Sequence, residues 1–151
     1  MNDVGFRILG GVHRRVYRLT GGRLGGRIAA MPVLLLTTVG RTTGKSRTQP
    51  LAYTRVDDAY AVIASKGGAA RHPLWYLNLR ANPLAEVTVG RETHAVRARD
   101  AEGEERERLW RRLADVYSGY DRYARKTNRR IPVVVLEPLA SHDVVGARST
   151  S

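Results

Sequence analysis

The chain has no cysteine among its 151 residues. This absence excludes thiolate nucleophiles, disulfide frameworks and zinc or iron–sulfur sites built on cysteine, and it is typical of a reducing compartment. The sequence also lacks a run of about 18 or more apolar residues, so no segment is expected to span a bilayer. An N-terminal signal peptide is not expected either, because Arg14, Arg15 and Arg18 interrupt the apolar positions there. We therefore expect a cytoplasmic protein.

Acidic residues are few: 14 Asp and Glu stand against 26 Lys and Arg, a formal net charge of +12. Nearly all the basic residues are arginines, so a general arginine bias explains part of this total. The distribution is uneven, because residues 1–50 carry nine Arg and Lys against Asp3 alone. Such asymmetry predicts an anionic partner for the N-terminal third, which could be an acidic small molecule, an anionic membrane or a nucleic acid.

Groups for catalysis without a cofactor are also scarce. The four histidines are dispersed, and none has a neighbour at the spacing of metal ligands, so no metal site is expected. No serine stands in a nucleophile elbow. A chain of this kind is either a binding module or a cofactor-dependent enzyme, in which the cofactor supplies the chemistry and the protein orients it.

Six short segments rich in β-forming residues alternate with turn signals, and we predict them to be strands. They cover residues 32–39, 50–56, 60–65, 84–89, 93–99 and 131–136. The connections are mostly too short for parallel crossovers, which favours antiparallel pairing. Amphipathic helices are predicted over residues 4–19, from Pro73 to before Asn82, and over 102–117. We therefore predict a mostly β fold (α+β) with peripheral helices, and a barrel over an open sheet because closure removes exposed edges.

The polar segment from Gly40 to Ser46 ends like a phosphate-binding P-loop. Its glycines are separated by three residues rather than the required four, and a β-like run follows instead of a helix, so nucleotide triphosphate hydrolysis is excluded. The two glycines still allow backbone amides to converge on an anion, with charge added by Arg41, Lys45 and Arg47. The alternative is an ordinary solvated hairpin turn.

Four blocks of sequence, in order, resemble the deazaflavin-dependent nitroreductase and quinone reductase family. They are TTVGRTTGKSR at 37–47 with Pro50-Leu51, ASKGG at 64–68, PLWYLNL at 73–79 with 81–83, and IPVVV at 131–135. The resemblance implies a flavin-type split β-barrel of about six antiparallel strands. It also implies coenzyme F420, a deazaflavin whose tail carries a phosphodiester and glutamates, and hydride transfer to quinones or nitro compounds.

The resemblance implies a set of cofactor contacts in these blocks. The first residues would hold the phosphate, Ser65 and Lys66 would donate to the carbonyl edge of the ring, and Trp75 would pack beside it. The expected set is Arg41, Thr42, Thr43, Lys45, Arg47, Thr48, Gln49, Ile63, Ala64, Ser65, Lys66, Leu74, Trp75, Tyr76, Leu77, Asn78 and Tyr120.

Three tyrosines follow at helical spacing. Tyr117, Tyr120 and Tyr123 fall on one side of a helical segment, where tyrosines commonly cap a core with their hydroxyls outward. The resemblance implies instead that they line the substrate pocket. It makes Ser65 and Tyr120 the expected catalytic residues, with the proton coming from Ser65, a tyrosine or water. Ala52 is smaller than the residue expected there, which leaves the substrate class open.

We expect three parts in the chain: an N-terminal amphipathic helix with a Gly-rich loop (residues 1–26), the deazaflavin-binding barrel that the resemblance implies (27–140) and a flexible tail (141–151). The N-terminal helix either packs on the barrel or rests on the inner face of the cell membrane as a peripheral anchor. The same barrel binding FMN is one alternative function. A basic nucleic-acid-binding module is another, disfavoured because a recognition helix and strand aromatics for base stacking are missing.

Overall fold

A computed structural model of the chain describes residues 32–117 and 119–140. Seven strands are present: β1 (Val33–Val39), β2 (Ser46–Ala52), β3 (Thr54–Val56), β4 (Ala59–Ile63), β5 (Leu84–Val89), β6 (Glu92–Asp100) and β7 (Val133–Pro138). The helices are α1 (Leu74–Ala81), α2 (Gly103–Val116) and α3 (Gly119–Lys126), with a 3-10 turn at Lys66–Gly68. None of these helices is long and apolar enough to cross a membrane.

The strands form one antiparallel sheet in the order β2-β1-β5-β6-β7-β4-β3. Its two edge strands, β2 and β3, are consecutive in the chain and separated only by Tyr53. The sheet must therefore curl until its edges approach each other, which produces a split barrel. The predicted fold, mostly β with antiparallel strands and peripheral helices, is confirmed.

The core occupies both faces of this curled sheet. Inside the barrel, residues such as Leu34, Val62 and Leu136 are fully buried, and α1 closes one end with Trp75, Tyr76 and Leu79. On the outside, β4 and β7 pack against Leu109 and Leu113 of α2 and Tyr120 of α3. Each large apolar side chain buried in this way contributes about 1.5–3 kcal/mol. This packing fixes α1 and α3 on either side of the β4 end of the barrel.

The sequence prediction differs from the structure in strand number and in one helix. The predicted strand 50–56 divides at Tyr53, and β2 begins at Ser46 in the segment predicted as a turn, which gives seven strands rather than six. The predicted helix over 102–117 ends at Val116, and α3 is a separate helix from Gly119. The predicted helix over residues 4–19, the Gly-rich loop after it and the tail 141–151 lie outside the described residues.

Candidate cofactor and substrate site

Two adjoining cavities form a groove along β2, between α1 and α3. The first, of about 320 Å³, lies against the loop before β2. The second, of about 500 Å³, lies against the end of β4 and the three tyrosines. Gln49, Leu74 and Trp75 line both cavities and form the wall between them. One elongated ligand could therefore occupy both.

The loop at the first cavity uses most of its own amides to hold its shape. The Gly40 amide donates to the Lys45 carbonyl at 2.8 Å, and the Gly44 amide donates to the Gly40 carbonyl at 2.8 Å. Within the described residues, the adjacent amides of Thr42 and Thr43 have no acceptor. Two unpaired amides beside exposed arginine side chains are a suitable arrangement for binding an anion. Arg41, Arg47 and Thr48, which are also in the predicted set, line this cavity as well.

The side chain of Asn78, in α1, holds this loop in place through hydrogen bonds. Its Oδ1 accepts from the Arg41 amide at 3.1 Å, and its Nδ2 donates to Thr38 Oγ1 at 3.1 Å. The side chain is buried and connects α1 to both the loop and β1. Asn78 lines the first cavity, so direct contact with a cofactor stays a prediction beside this supporting role.

The middle of the groove is apolar. Leu74 is 66% exposed although it begins α1, and its neighbour Trp75 is buried with its ring edge-on to Tyr76 at 6.3 Å. Ile63 and Leu51 line the second cavity near them. An exposed leucine beside a recessed tryptophan offers a surface for a flat, partly apolar ring.

Ser65 and Lys66 bring polar groups to the second cavity directly after β4. Ser65 is largely buried, yet its hydroxyl makes no hydrogen bond within the described part of the chain. Lys66 is exposed and has a left-handed backbone conformation, with φ of 46°. Both residues line the cavity, so a free hydroxyl and an ammonium group are available to an electronegative ring edge.

The three predicted tyrosines meet at the far end of the second cavity. The hydroxyls of Tyr117 and Tyr123 are 2.7 Å apart, and the Tyr120 ring lies 5.2 Å from that of Tyr117. Burial raises the pKa of Tyr120 to about 12, so its hydroxyl keeps its proton at neutral pH. The Tyr120 hydroxyl has no hydrogen-bond partner in the described ranges, which leaves it available to a bound molecule.

Four residues of the predicted set line neither cavity: Lys45, Ala64, Tyr76 and Leu77. Ala64 is wholly buried in the barrel core, and the Tyr76 hydroxyl donates to Asp100 Oδ2 at 2.7 Å. Burial, followed by that bond, raises the pKa of Tyr76 to about 12. The side-chain geometry therefore gives no support to cofactor contacts from these four residues.

The groove also has walls that the predicted set omitted. Pro50, Leu51, Ala52 and Pro73 line the second cavity. Pro50, Leu51 and Pro73 lie in the sequence blocks that carry the family resemblance, and Ala52 directly follows one of these blocks. The small side chain of Ala52 leaves room beside the tyrosines. The groove is therefore built largely from the sequence blocks that carry the resemblance.

The chain matches the F420H(2)-dependent quinone reductase family over residues 11–138. It is 44% identical over 129 residues to an F420H(2)-dependent quinone reductase of Mycobacterium tuberculosis, covering 83% of this chain and 87% of that protein. Among solved structures it resembles an F420-H2 dependent reductase, FDR-A, with 43% identity, a TM-score of 0.65 and coverage of 70% of this chain and 94% of the other. A domain-swapped dimer is similar at 43% identity and a TM-score of 0.66, covering 70% of this chain and 80% of its own.

A more distant likeness concerns the fold alone. The heme storage protein HutZ of Vibrio cholerae is 14% identical with a TM-score of 0.59, over 80% of this chain and 90% of that one. The long match over residues 11–138, together with the closely similar mycobacterial relative, decides the family. The chain belongs to the F420H(2)-dependent quinone reductase family.

Proposed function

We propose that this protein binds coenzyme F420 in the groove along β2 and uses the reduced cofactor to reduce quinones. The observation that carries the proposal is the polarity of the groove, with an anion-binding loop at one end and free hydroxyls at the other. The cofactor matches this arrangement, since its acidic tail would lie at the loop and its flat ring would lie near the hydroxyls. Membership of a family that depends on F420H(2) supports the deazaflavin and gives no support to the FMN alternative.

The tail would be held by Arg41, Arg47 and the free amides of Thr42 and Thr43. Charge-assisted hydrogen bonds of this kind are roughly twice as strong as neutral ones, and arginine can bind a phosphate through two of its nitrogens. Farther along the groove, Leu74 and Trp75 would flank the ring. Ser65 and Lys66 would hydrogen-bond to its polar edge, which fixes the ring's orientation relative to the tyrosines.

The acceptor would occupy the end of the second cavity, between the ring and the three tyrosines. When bound, the reduced deazaflavin supplies a hydride, and one proton completes the two-electron reduction of a quinone to a hydroquinone. Tyr120 would hydrogen-bond to the quinone oxygen and supply that proton, because its hydroxyl is protonated and has no hydrogen-bond partner among the described residues. Ser65 is the second candidate, since its hydroxyl is also free.

Nitro-organic compounds are a second proposed class of acceptor, because a nitro group presents a similar electronegative oxygen to Tyr120. Ala52 supports a broad acceptor range, since its small side chain leaves the second cavity wide. We also propose peripheral contact with an anionic membrane through residues 4–19, where a lipophilic quinone would be available.

The direct test is a binding titration with intact F420, a deazaflavin lacking the acidic tail, FMN and DNA. Intact F420 is expected to bind most tightly, because only it can use both ends of the groove. Arg41→Ala should weaken its binding by about ten- to a hundredfold, the value of one charge-assisted contact, and should leave the tailless compound unaffected. Arg91→Ala, in the exposed turn between β5 and β6, removes the same charge outside the groove and serves as the control. Equal affinity for the intact and tailless cofactors would contradict the assignment of the loop.

A further inference from the structure

Arg129, between α3 and β7, extends its guanidinium group behind the groove toward the segment that connects β4 with α1. Its Nε donates to the Ala69 carbonyl at 2.8 Å, and its Nη2 donates to the Ser65 carbonyl at 2.6 Å. Its Nη1 donates to the Ala64 carbonyl at 3.2 Å and to His72 Nδ1 at 3.0 Å. All four acceptors lie within residues 64–72.

The charge of Arg129 has no carboxylate partner among the described residues. Three backbone carbonyls and one neutral imidazole solvate it instead. Arg129 is half-buried, and four of its five N–H groups donate to these acceptors. Displacing the segment would therefore break several charge-assisted hydrogen bonds at once. Lysine cannot reproduce the contact, because its ammonium group lacks the planar arrangement of donors that reaches four acceptors.

His72 contributes to the contact only in its neutral form. Its Nδ1 accepts from Arg129, which requires that the ring proton be on Nε2. Burial, followed by the charge of Arg129, lowers the pKa of His72 and favours this form. The imidazole also packs on the Tyr76 ring, with centroids 4.8 Å apart. Arg129 and His72 together therefore link the connection between α3 and β7 to residues 64–72, and through them to α1.

The same segment is held closely against α3. Gly68 has φ of +81°, and a Cβ there would approach the Tyr123 carbonyl oxygen to 2.9 Å. The Gly68 amide donates to the Ser65 carbonyl at 2.9 Å, the same oxygen that accepts from Arg129. Ser65 thus has its backbone fixed from two sides while its hydroxyl remains free at the groove.

We infer that Arg129 is a positioning residue, which holds residues 64–72 so that Ser65 and Lys66 face the ring end of the groove at a fixed distance from the tyrosines of α3. The inference rests on the proposed function for the identity of the ligand in the groove. The hydrogen bonds by which Arg129 holds residues 64–72 are a property of the protein alone. Arg129 touches neither cavity of the groove, so its effect would pass entirely through the backbone of the segment.

Amide hydrogen exchange on the protein without ligand directly tests whether Arg129 holds residues 64–72 in place. In Arg129→Lys the Gly68 and Ala69 amides should exchange at least about tenfold faster than in the unaltered protein, the scale of one lost charge-assisted hydrogen bond. The control is Arg130→Lys, because Arg130 is adjacent and exposed and, among the described residues, its side chain hydrogen-bonds to Glu102 alone, at 3.1 Å. It should leave both amides unchanged. His72→Phe keeps the ring packing and removes one acceptor, so it should give a smaller acceleration and serves if Arg129→Lys folds poorly.

Binding of the tailless deazaflavin supplies the second readout. Arg129→Lys should weaken the tailless and intact cofactors by the same factor, about tenfold, and should lower kcat for quinone reduction. A residue that only stabilised the fold would lower the melting temperature and leave ring affinity unchanged.

Two results would separate the possible failures. Unchanged exchange at Gly68 and Ala69 in Arg129→Lys would overturn the inference. Faster exchange in Arg129→Lys, combined with no deazaflavin binding by the unaltered protein, would support the positioning of residues 64–72 by Arg129 and refute the proposed function.

Discussion

Glu86 is the most unusual single residue of the described structure. It lies on β5, on the face opposite Ala85 and Val87, and it is only 7% exposed. Its Oε2 has no hydrogen-bond partner within the described residues. Burial raises the pKa of Glu86 from its ordinary value of 4.5 to about 7. Glu86 does not line the groove. The free-energy cost of burying its ionised carboxyl group therefore lowers the stability of the folded protein.

We predict that Glu86→Gln stabilises the protein in a pH-dependent way. Because the folded-state pKa is raised, the folded protein binds more protons than the unfolded chain between about pH 4.5 and 7, and stability falls as the pH rises through that window. Glutamine cannot ionise, so the variant should be more stable by about 1–3 kcal/mol at pH 8 and should lose this advantage near pH 5.

Urea unfolding at both pH values measures the difference. Glu104→Gln, at an exposed carboxylate in the first turn of α2 with no ion-pair partner among the described residues, is the control and should show no such pH dependence. A Glu86→Gln effect of the same size at pH 5 and pH 8 would show that the charge is not its cause.

Tyr120 provides the residue-scale test of catalysis. Tyr120→Phe keeps the ring packing against Tyr117 and removes only the hydroxyl, so folding should be nearly unaffected. If the hydroxyl supplies the proton, kcat for quinone reduction should fall by roughly a hundredfold. Ser65→Ala tests the second candidate in the same assay. Tyr60→Phe, within the barrel and outside the groove, is the matched control. Wild-type turnover in both Tyr120→Phe and Ser65→Ala would show that neither hydroxyl supplies the proton and that both residues are structural.

At the scale of elements, sequence patterns predicted the buried strands and missed the element that builds the site. Strands β1, β5, β6 and β7 follow the predictions closely, and Gly90-Arg91 forms the short turn between β5 and β6. The start of β2, by contrast, is polar and half-exposed, because Thr48 and Gln49 line the groove and Thr48 bonds to Thr37 at 2.7 Å. A strand that serves a binding groove lacks the apolar alternation by which strands are recognised.

The candidate site was predictable to the extent that local sequence carries it. The glycine-containing loop, Ser65 and the three tyrosines could be named because each belongs to a short recognisable pattern. Arg129 could not be, because its acceptors Ala69 and Ser65 are 60 and 64 positions away in the chain. Long-range contacts of this kind depend on the folded register and leave no signal in spacing.

The contact between the 3-10 turn and α3 can be tested with two glycines. Gly68→Ala and Gly90→Ala both place alanine at positive φ, which costs about 1–2 kcal/mol. At Gly90 a new Cβ meets nothing within 4 Å, whereas at Gly68 it would approach the Tyr123 carbonyl oxygen to 2.9 Å. Gly68→Ala should therefore lower the melting temperature more, and it alone should raise the KM for quinones by moving α3. Equal effects of the two substitutions would mean that the turn and α3 are not closely packed.

At the scale of the whole molecule, charge distribution and groove position act together. The loop that is proposed to bind the acidic tail belongs to the basic N-terminal third of the chain, where residues 1–50 hold nine Arg and Lys against one Asp. The proposed site for an acidic tail accounts for Arg41 and Arg47, whereas Lys45 lies in the same loop but lines neither cavity. The remaining six arginines lie at or before residue 27, outside the described residues, and a binding groove in the barrel does not account for them.

We predict that residues 4–19 bring the protein to anionic membranes. Each basic residue near an anionic surface contributes about 1 kcal/mol, so Arg7, Arg14, Arg15 and Arg18 together are enough for reversible binding at low salt. The full chain should sediment with phosphatidylserine vesicles, and replacing these four arginines with glutamine should abolish it. The matched control removes the same total charge from the exposed surfaces of α2 and α3, at Arg108, Arg112, Arg122 and Arg125, and should retain binding. If deleting residues 1–20 leaves vesicle binding unchanged and unfolds the barrel instead, the segment packs on the barrel and the arginines only face water.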